Sequence, residues 1–462
     1  MEIDFKSIKK AHVYLREVCA GSLEKQATDR FVFQYSPEYL SLSEAFDISR
    51  TLKKQSAPYV NKTLHPFFDN LIPEGWLLQY TEKTFHIEKS NRFGLLMATG
   101  GAPIGAVSVR PLNNENGEIN VVAELSEEWS KEYPKGYNDE KLKLYSIQQP
   151  ESFPYCTTCF KPLAPNKLSH RKCVLEMWET ERTLQIEMDA TNPLSSFARV
   201  IYGGSISGAQ KKGLFRFNSK KGLLQATASG AQYILKPAGD YPELPENEHV
   251  TMAIAKAIQF NVPPFALLQI EGLGNVFAIK RFDRTPHQTP LMMEDMGQII
   301  QVSSADKYES SYEKVATAIS KHSSAPQIDL NDFYRRLIFC YLTANADMHL
   351  KNWALLENEK ALGTFKLSPC YDLLNTRLPI PRERMDLGLK MLGKDRNIQA
   401  SYFIRFGNTI GLSKLKIDSV FDELPKWKET ATELVQKSLL RDKSKDKYQA
   451  LLKDRFTTLI SR

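Results

Sequence analysis

The chain has 462 residues, of which 42% are apolar and 25% are charged. These fractions are close to globular averages, so they exclude a disordered chain, a collagen and a coiled-coil rod. The net charge of +7 is too small, over this length, to predict a dedicated nucleic-acid-binding surface. At roughly 150 residues per domain, the length allows about two to four domains.

Membrane and secretory signals are missing from the sequence pattern. No apolar run approaches the roughly 18 residues that a membrane-spanning helix needs, and the first residues lack the apolar core of a signal peptide. Six cysteines in a chain of this length do not suggest a disulfide scaffold. We therefore expect a protein of the reducing cytoplasm.

The first two segments of the chain differ in composition. Residues 1–110 predict a small α/β domain, in which residues 30–35 and 104–109 have the apolar pattern of strands. Residues 111–150 hold eight acidic and four basic side chains, five asparagines and few apolar clusters. This composition favours an exposed acidic connector that follows the first domain.

Four potential metal ligands follow within residues 151–178, in the pattern Cys156-x₂-Cys159-x₁₀-His170-x₂-Cys173. Three thiolates and one imidazole suit tetrahedral Zn²⁺, and the CxxC spacing lets two sulfurs bind one ion from a tight turn. The pattern therefore favours a structural zinc knuckle. Two alternatives stay open, namely reduced cysteines that pack a small turn without metal and a redox-active CxxC pair.

From residue 179 onward, strand-like runs precede a long helical half. Residues 203–212 combine glycine with small hydroxyl residues, which let a backbone approach phosphate groups closely. By itself this segment is better explained as a flexible loop. Residues 233–237 predict a strand that carries one lysine, Lys236, among apolar neighbours. Such a lysine could bind the phosphates of ATP, and a surface lysine with a buried stem is the alternative.

Two helices with a buried stripe are predicted in the second half of the chain. Apolar residues recur at helical spacing over 248–260 and over 332–344. Glu248 lies at the start of the first helix, shortly after the predicted lysine strand. Lys236 and Glu248 could therefore form the ion pair that holds the ATP lysine in protein kinases.

The most informative segment, residues 345–352, directly follows the second helix. Asp347 and Asn352 are five residues apart, as are the catalytic-loop Asp and Asn of protein kinases. A carboxylate can accept the proton of an attacking hydroxyl, and a neutral amide oxygen nearby can bind Mg²⁺ without adding repulsion. Asp372 follows a predicted strand over 365–370 and offers a second metal ligand. Turn and helix-cap roles are the alternative for such residues.

In this order the motifs resemble the HipA family of serine/threonine kinases, the toxins of bacterial toxin–antitoxin systems. The resemblance is dispersed over nearly the whole chain. It rests on residues 37–40, 67–74, 105–107, 205–212, 233–237, 247–248, 279–284, 294–296, 345–352 and 371–372.

The resemblance implies roles for the catalytic positions. Asp347 would be the catalytic carboxylate and His349 would shape the loop around it. Asn352 and Asp372 would bind Mg²⁺. Lys236 would bind ATP, with Glu248 as its partner. ATP and Mg²⁺ are thus the expected cofactors, and the expected reaction is transfer of the γ-phosphoryl group to a protein hydroxyl.

Four further positions receive roles by resemblance. Glu294 and Met296 would lie in the hinge that meets the adenine, and Ser205 and Ser207 would be autophosphorylated. A phosphate adds a charge of about −1.5 to −2. Because it could not share the loop with the phosphates of ATP, we expect the modified form to be inactive.

The implied fold class is α+β. A two-lobed protein-kinase-like fold would have a mixed N-lobe and hinge over residues 179–296 and a helical C-lobe over residues 297–462. Residues 1–110 resemble the small N-terminal subdomain of the family. The cysteine cluster resembles one found where a split version of the family begins its core polypeptide. The small partner therefore looks fused to the kinase core.

The resemblance also implies partners. The protein substrate would be a translation factor such as an aminoacyl-tRNA synthetase. A DNA-binding antitoxin would be the second partner, and DNA would be met only through it. Two other functions stay open: a catalytically silent corepressor that joins the antitoxin, and a small-molecule kinase of similar fold.

Overall fold

The computed structural model describes residues 3–27, 30–113, 117–118, 142–150, 153–164, 167, 169–198, 210–227 and 229–461. Within these ranges no helix is both long enough and apolar enough to cross a membrane. Ser205 and Ser207 lie outside the described residues.

The N-terminal domain is built on an antiparallel sheet of six strands, in the order β4-β3-β2-β1-β5-β6. The strands are β1 (Lys10–Leu15), β2 (Val18–Lys25), β3 (Phe31–Tyr35), β4 (Tyr59–Asn61), β5 (Val107–Asn113) and β6 (Gly117–Glu118). The helices are α1 (Pro37–Ser41), α2 (Pro66–Asp69), α3 (Gly75–Phe85) and α4 (Arg92–Thr99). The strand predicted over 104–109 therefore begins later, at Val107, and runs on to Asn113.

Seven strands then close into a barrel, in the order β10-β8-β7-β12-β13-β11-β9. They are β7 (Leu142–Gln148), β8 (Gln185–Asp189), β9 (Gly213–Asn218), β10 (Leu223–Ala226), β11 (Tyr233–Pro237), β12 (Phe265–Ile270) and β13 (Gly274–Lys280). β7 lies inside the stretch 111–150 that the sequence assigned to a connector. Tyr145 and Ile147 are buried in the barrel core, so this part of the stretch belongs to the N-lobe.

The remaining elements are mostly helices. They are α5 (Arg171–Trp178), α6 (Ser195–Ala198), α7 (Leu244–Ala257), α8 (Met296–Ile300), α9 (Tyr312–His322), α10 (Pro326–Leu342), α11 (Ala400–Thr409), α12 (Lys414–Lys437) and α13 (Asp442–Ile460). A three-stranded antiparallel sheet accompanies them, with β14 (Met293–Asp295), β15 (Ala354–Asn358) and β16 (Ala361–Leu367). The C-lobe is therefore helical with a small sheet.

The two predicted helices begin earlier than expected. α7 begins at Leu244 and α10 at Pro326, each with proline in its first turn. Proline suits this position because the first helical N–H groups have no partner within the helix. Glu248 consequently lies in the second turn of α7 and not at its start. One continuous apolar core joins the N-terminal domain to the C-lobe, with Phe68 and Met296 both fully buried in it.

Candidate active site

Lys236 lies on β11 with its ammonium group between two carboxylates. Its Nζ atom donates to Oε1 of Glu248 at 2.5 Å and also to Oδ1 of Asp372. Lys236 and Glu248 are both buried. Burial alone would lower the pKa of Lys236, but the charges of Asp372 and Glu248 more than offset it and raise the pKa above its ordinary value. The ion pair predicted between Lys236 and Glu248 is therefore formed, and Asp372 joins it.

Asp372 follows β16 and has a left-handed backbone conformation, with φ of 54°. A non-glycine residue in this region is strained, and such residues concentrate at functional sites. Burial alone would raise the pKa of the Asp372 carboxyl, but Lys236 and Lys212 outweigh it and hold the pKa well below its usual range. Asp372 is therefore ionised and faces two lysines.

Asn345 connects the catalytic loop to Asp372. Its Nδ2 atom donates to the backbone oxygen of Asp372 at 3.2 Å, and its Oδ1 atom accepts from the backbone N–H of Asp347 at 3.2 Å. Asn345 is completely buried. The sequence placed this residue in the loop but gave it no role, because the position it bridges to comes 27 residues later.

Asp347 and Asn352 both lie in residues 345–352, the predicted catalytic loop. The Nδ2 atom of Asn352 donates to the backbone oxygen of Asp347 at 2.8 Å. This hydrogen bond uses the amide nitrogen, so the amide oxygen of Asn352 is the atom that could bind a cation. Asp347 has 49% of its side chain exposed, which leaves the carboxylate accessible to a macromolecular substrate.

His349 contacts the backbone of the same loop. Its Nδ1 atom accepts the backbone N–H of Lys351 at 3.2 Å, and its Nε2 atom is 4.0 Å from Oδ1 of Asp347. Burial lowers the pKa of His349 to about 4, so the ring is neutral near pH 7. The ring of Tyr308 packs edge-on against His349, and the Tyr308 hydroxyl donates to Asp347.

A cleft brings Lys236, Asp372 and Asn352 together. The described residues that line it include Asn70, Leu71, Pro103, Ile104, Lys212, Lys236, Asp283, Met293, Asp295, Lys351, Asn352 and Asp372. Lys212 is a second buried lysine of the cleft, and burial lowers its pKa. Four lining residues belong to the N-terminal domain, namely Asn70, Leu71, Pro103 and Ile104. The sequence predicted neither a role for Lys212 nor this contribution of the N-terminal domain.

The predicted hinge residues are placed differently from the expectation. The carboxylate of Glu294 turns to the N-terminal domain, where it accepts from Oγ of Ser49 at 2.6 Å and from the backbone N–H of Arg50 at 2.8 Å. Met296 begins α8 and is buried in the core. Side chains alternate along a strand, so Met293 and Asp295 of β14 face the cleft instead.

The four predicted metal ligands come together. One ligand atom from each of Cys156, Cys159, His170 and Cys173 lies within 4.8 Å of all the others. Sγ of Cys159 and Nδ1 of His170 are 3.4 Å apart. Nε2 of the same ring is 3.0 Å from the backbone oxygen of Pro162, so this nitrogen can donate while Nδ1 faces the sulfurs.

This cluster packs against α7, the helix that carries Glu248. Nε2 of the buried His249 lies 2.6 Å from the backbone oxygen of Thr157, next to Cys156 in sequence. The ring of His249 also packs on Phe160, with ring centres 4.8 Å apart. The cysteine cluster is thus joined to the helix that positions the glutamate of the ion pair.

Comparison with known proteins adds family information to this geometry. Residues 204–432 match the family described as the HipA-like C-terminal domain, and residues 11–110 match the HipA N-terminal domain. A Haemophilus influenzae protein named "Putative kinase" is 31% identical over 268 residues, which are 52% of this chain and 76% of that protein. The serine/threonine-protein kinase toxin HipA of Shewanella oneidensis is 22% identical over 384 residues, which are 79% of this chain and 74% of that protein.

A solved structure is also similar. It is a chain from the complex of the Shewanella oneidensis toxin–antitoxin system HipA, HipB and its operator DNA, with a TM-score of 0.66. The two chains are 20% identical, and the similarity covers 98% of this chain and 97% of that one. This likeness confirms the predicted α+β fold.

Proposed function

The chain belongs to the HipA-like family, and we propose that it is an ATP-dependent serine/threonine protein kinase that acts as a toxin. The observation that carries this proposal is the cleft lined by Lys236, Asp372 and Asn352, in which Glu248 pairs with Lys236 from beneath the surface. These residues come from β11, from α7 and from two loops of the C-lobe. They supply the cation, the paired carboxylate and the metal-binding oxygens that phosphoryl transfer requires.

The residues of the cleft fit ATP and Mg²⁺. Lys236 and Lys212 offer two buried cations for phosphate oxygens, and Asp372 and Asn352 offer the oxygen ligands that Mg²⁺ prefers. Oε2 of Glu248 is buried without a hydrogen-bond partner among the described residues, so this carboxylate can accept a further hydrogen bond. When bound, ATP supplies the phosphoryl group and Mg²⁺ neutralises its charge.

The residues of the chain would then hold the reacting groups in position. Asp347 would accept the proton of the protein hydroxyl, from a loop that Asn345 and His349 keep in shape. Tyr308 now donates to the same carboxylate, so an acceptor hydroxyl would replace this hydrogen bond. In such reactions positioning and electrostatic stabilisation supply most of the rate.

Mass spectrometry of the purified chain after incubation with Mg-ATP tests this proposal. We expect added phosphate on Ser205 or Ser207, as the resemblance implies, with no addition when ATP or Mg²⁺ is left out. A chain that gains no phosphate and labels no protein of a bacterial lysate would contradict the kinase proposal and would favour the silent corepressor.

The resemblance further supports two partners. The similar solved structure contains HipB and operator DNA, and we propose a DNA-binding antitoxin as the partner of this chain, with DNA contacted through it. We propose a translation protein of the aminoacyl-tRNA synthetase class as the substrate. Labelling of purified synthetases with γ-labelled ATP would identify such a substrate, and equal labelling of unrelated proteins would contradict it.

We also propose that the cysteine cluster holds a structural Zn²⁺. With Zn–S near 2.3 Å and Zn–N near 2.1 Å, tetrahedral ligands lie roughly 3.5–3.8 Å apart, and the Cys159–His170 separation of 3.4 Å is just below this range. The contact from His170 to the oxygen of Pro162 is the kind of outer hydrogen bond that orients a metal-binding histidine.

A Cys156→Ser variant should lose the metal. We expect about one zinc per chain in the wild type and about a tenth of that or less in the variant, because one thiolate ligand is gone. Its thermal midpoint should also fall, since the Thr157–His249 contact with α7 loosens.

Metal analysis of proteins purified under reducing conditions measures the zinc content. Cys19→Ser is the matched control, because Cys19 lies on β2 of the N-terminal domain, outside the cluster. It should keep the full metal content. A wild type without zinc, or a Cys156→Ser variant that retains it, would leave the packed turn of reduced cysteines as the explanation.

A further inference from the structure

Glu74 of the N-terminal domain reaches into the kinase core. It immediately precedes α3, and its side chain is buried. Its Oε1 atom accepts from Oγ of Ser304 at 2.5 Å, and its Oε2 atom accepts from Nζ of Lys307 at 2.6 Å. Both partners lie in the segment between α8 and α9 of the C-lobe.

The same carboxylate also faces Lys351, which lies inside the catalytic loop. Nζ of Lys351 is 3.4 Å from Oε1 of Glu74 and donates to the backbone oxygen of Asn70 at 2.9 Å. The backbone oxygen of Lys351 accepts from the hydroxyl of Tyr371, the residue before Asp372, at 2.9 Å. Lys351 therefore connects the N-terminal domain with the loop that carries Asp347 and with the segment that carries Asp372.

A buried ammonium group requires a counter-charge, because removal from water otherwise costs several kcal/mol. The side chain of Lys351 is 2% exposed. Asp295 is its other acidic neighbour, but the separation is 4.0 Å and burial raises the pKa of Asp295 to about 6. Burial alone would also raise the pKa of Glu74, but Lys351 and Lys307 outweigh it and hold that pKa well below its usual range. Glu74 is the nearer and more firmly ionised partner.

We propose that Glu74 is a positioning residue of the kinase site, and that it fixes the catalytic loop through Lys351. This inference rests on the proposed kinase function. By this proposal, the N-terminal domain contributes a residue that the catalytic site needs for its geometry.

Lys307, the other lysine that Glu74 contacts, extends this effect to the part of the site where the acceptor hydroxyl would bind. Lys307 is held by Glu74 and precedes Tyr308, whose hydroxyl donates to Asp347. The backbone N–H of Leu350 donates to the backbone oxygen of Lys307 at 3.2 Å. One carboxylate of the N-terminal domain thus holds two segments that meet at the catalytic aspartate.

A Glu74→Gln variant tests the proposal, because glutamine keeps the shape and removes the charge. We expect the kcat of phosphorylation to fall about 10- to 100-fold, as small misplacements of catalytic groups do. The KM for ATP should change by less than about threefold. The reason is that the contacts among Lys236, Glu248 and Asp372 do not involve Glu74. Hydrogen exchange in peptides that cover residues 345–353 should increase.

Glu44→Gln is the matched control. Glu44 is an exposed glutamate of the same domain, so the variant makes the same chemical change without touching the core. It should retain the wild-type kcat and wild-type hydrogen exchange. A Glu74→Gln variant with wild-type kcat and wild-type exchange would overturn the proposal, and so would a parallel loss of kcat and ATP affinity.

The variant Glu74→Gln leaves Lys351 buried without its main partner and could fail to fold. The double variant Glu74→Gln/Lys351→Met removes both charges and is compared with Lys351→Met alone. If Glu74 acts mainly through Lys351, the second change should lower kcat by less than about tenfold further, because only the contact with Lys307 is still lost. A larger further loss would overturn the proposal.

Hydrogen exchange separates this proposal from the proposed function. A wild type without phosphotransfer, together with increased loop exchange in Glu74→Gln, would refute the kinase function and retain Glu74 as the residue that holds the loop. An active wild type, together with unchanged exchange and rate in Glu74→Gln, would refute the role of Glu74 alone.

Discussion

An Asp347→Asn variant should transfer phosphoryl groups about 10²- to 10⁴-fold more slowly than the wild type. Asparagine has nearly the same shape, but its amide cannot take the proton of an acceptor hydroxyl. Asp347 is half-exposed and lies on the loop held by Asn345 and Asn352. The substitution therefore removes the carboxylate and leaves the packing of the residue almost unchanged.

ATP affinity should stay within about threefold of the wild type in this variant, because the lost interaction belongs to the transition state. Among the described residues that line the cleft, Lys236, Asn352 and Asp372 are present and Asp347 is not. Rates are measured by mass spectrometry of the phosphorylated chain, and ATP affinity by calorimetry.

Asp422→Asn is the matched control, since Asp422 is an exposed aspartate on α12. It should have the wild-type rate. An Asp347→Asn variant that retains half of the wild-type rate would exclude Asp347 as the catalytic carboxylate. A variant that loses ATP affinity in proportion to its rate would show instead that the substitution disturbs the cleft.

Local sequence patterns predicted the elements that carry the site. The strand Tyr233–Pro237 has the predicted bounds, because a short apolar run with a proline at its end has little alternative. The kinase-like spacing of Asp347 and Asn352 was visible because both lie on one loop. Lys236 and Asp372 were predicted separately, and the order of the motifs, more than any single motif, assigned both to one kinase-like site. Their direct contact was not predicted.

Patterns averaged over long stretches were less informative. The acidic composition of residues 111–150 concealed β7, in which Tyr145 and Ile147 alternate with polar residues. In the hinge, the motif identified the correct strand but not its orientation. One residue of shift turns every side chain to the other face, and Glu294 therefore meets Ser49 rather than the cleft.

Contacts between distant parts of the chain had no local signal. Glu74 and Lys307 are 233 residues apart, and Asn70 and Lys351 are 281 residues apart. Each residue alone is an ordinary polar side chain of a loop or a turn. Only the folded chain brings the N-terminal domain against the catalytic loop, so this part of the site could not be predicted without the structure.

A Lys236→Met variant should lose phosphotransfer and also unfold more easily. Methionine keeps the apolar stem but removes the ammonium group from between Glu248 and Asp372. Loss of one member of a buried ion pair lowers the free energy of unfolding by about 3–5 kcal/mol, because the other charge is left unpaired. Lys212 also faces these carboxylates, so we expect a value near the lower limit.

The stability loss should depend on pH. Burial raises the pKa of Glu248 to about 7 even beside Lys236, and without the ammonium the folded chain should hold protons on both carboxyl groups more tightly still. In the unfolded chain the pKa values of Glu248 and Asp372 are near 4.5 and 3.8. From these two pKa values up to about pH 7 or above, the folded variant binds more protons than the unfolded variant does. Its free energy of unfolding therefore falls as the pH rises. Its deficit against the wild type should be larger near pH 8 than near pH 5.

Urea unfolding at the two pH values measures this deficit, and mass spectrometry after incubation with Mg-ATP measures the lost phosphotransfer. Lys447→Met is the matched control, because Lys447 is an exposed lysine on α13, and it should match the wild type in both. A deficit that is equal at both pH values would mean that Lys236 stabilises the fold by packing rather than by its charge. Wild-type phosphotransfer in Lys236→Met would mean that another cation, with Lys212 the nearest candidate in the cleft, binds the phosphates.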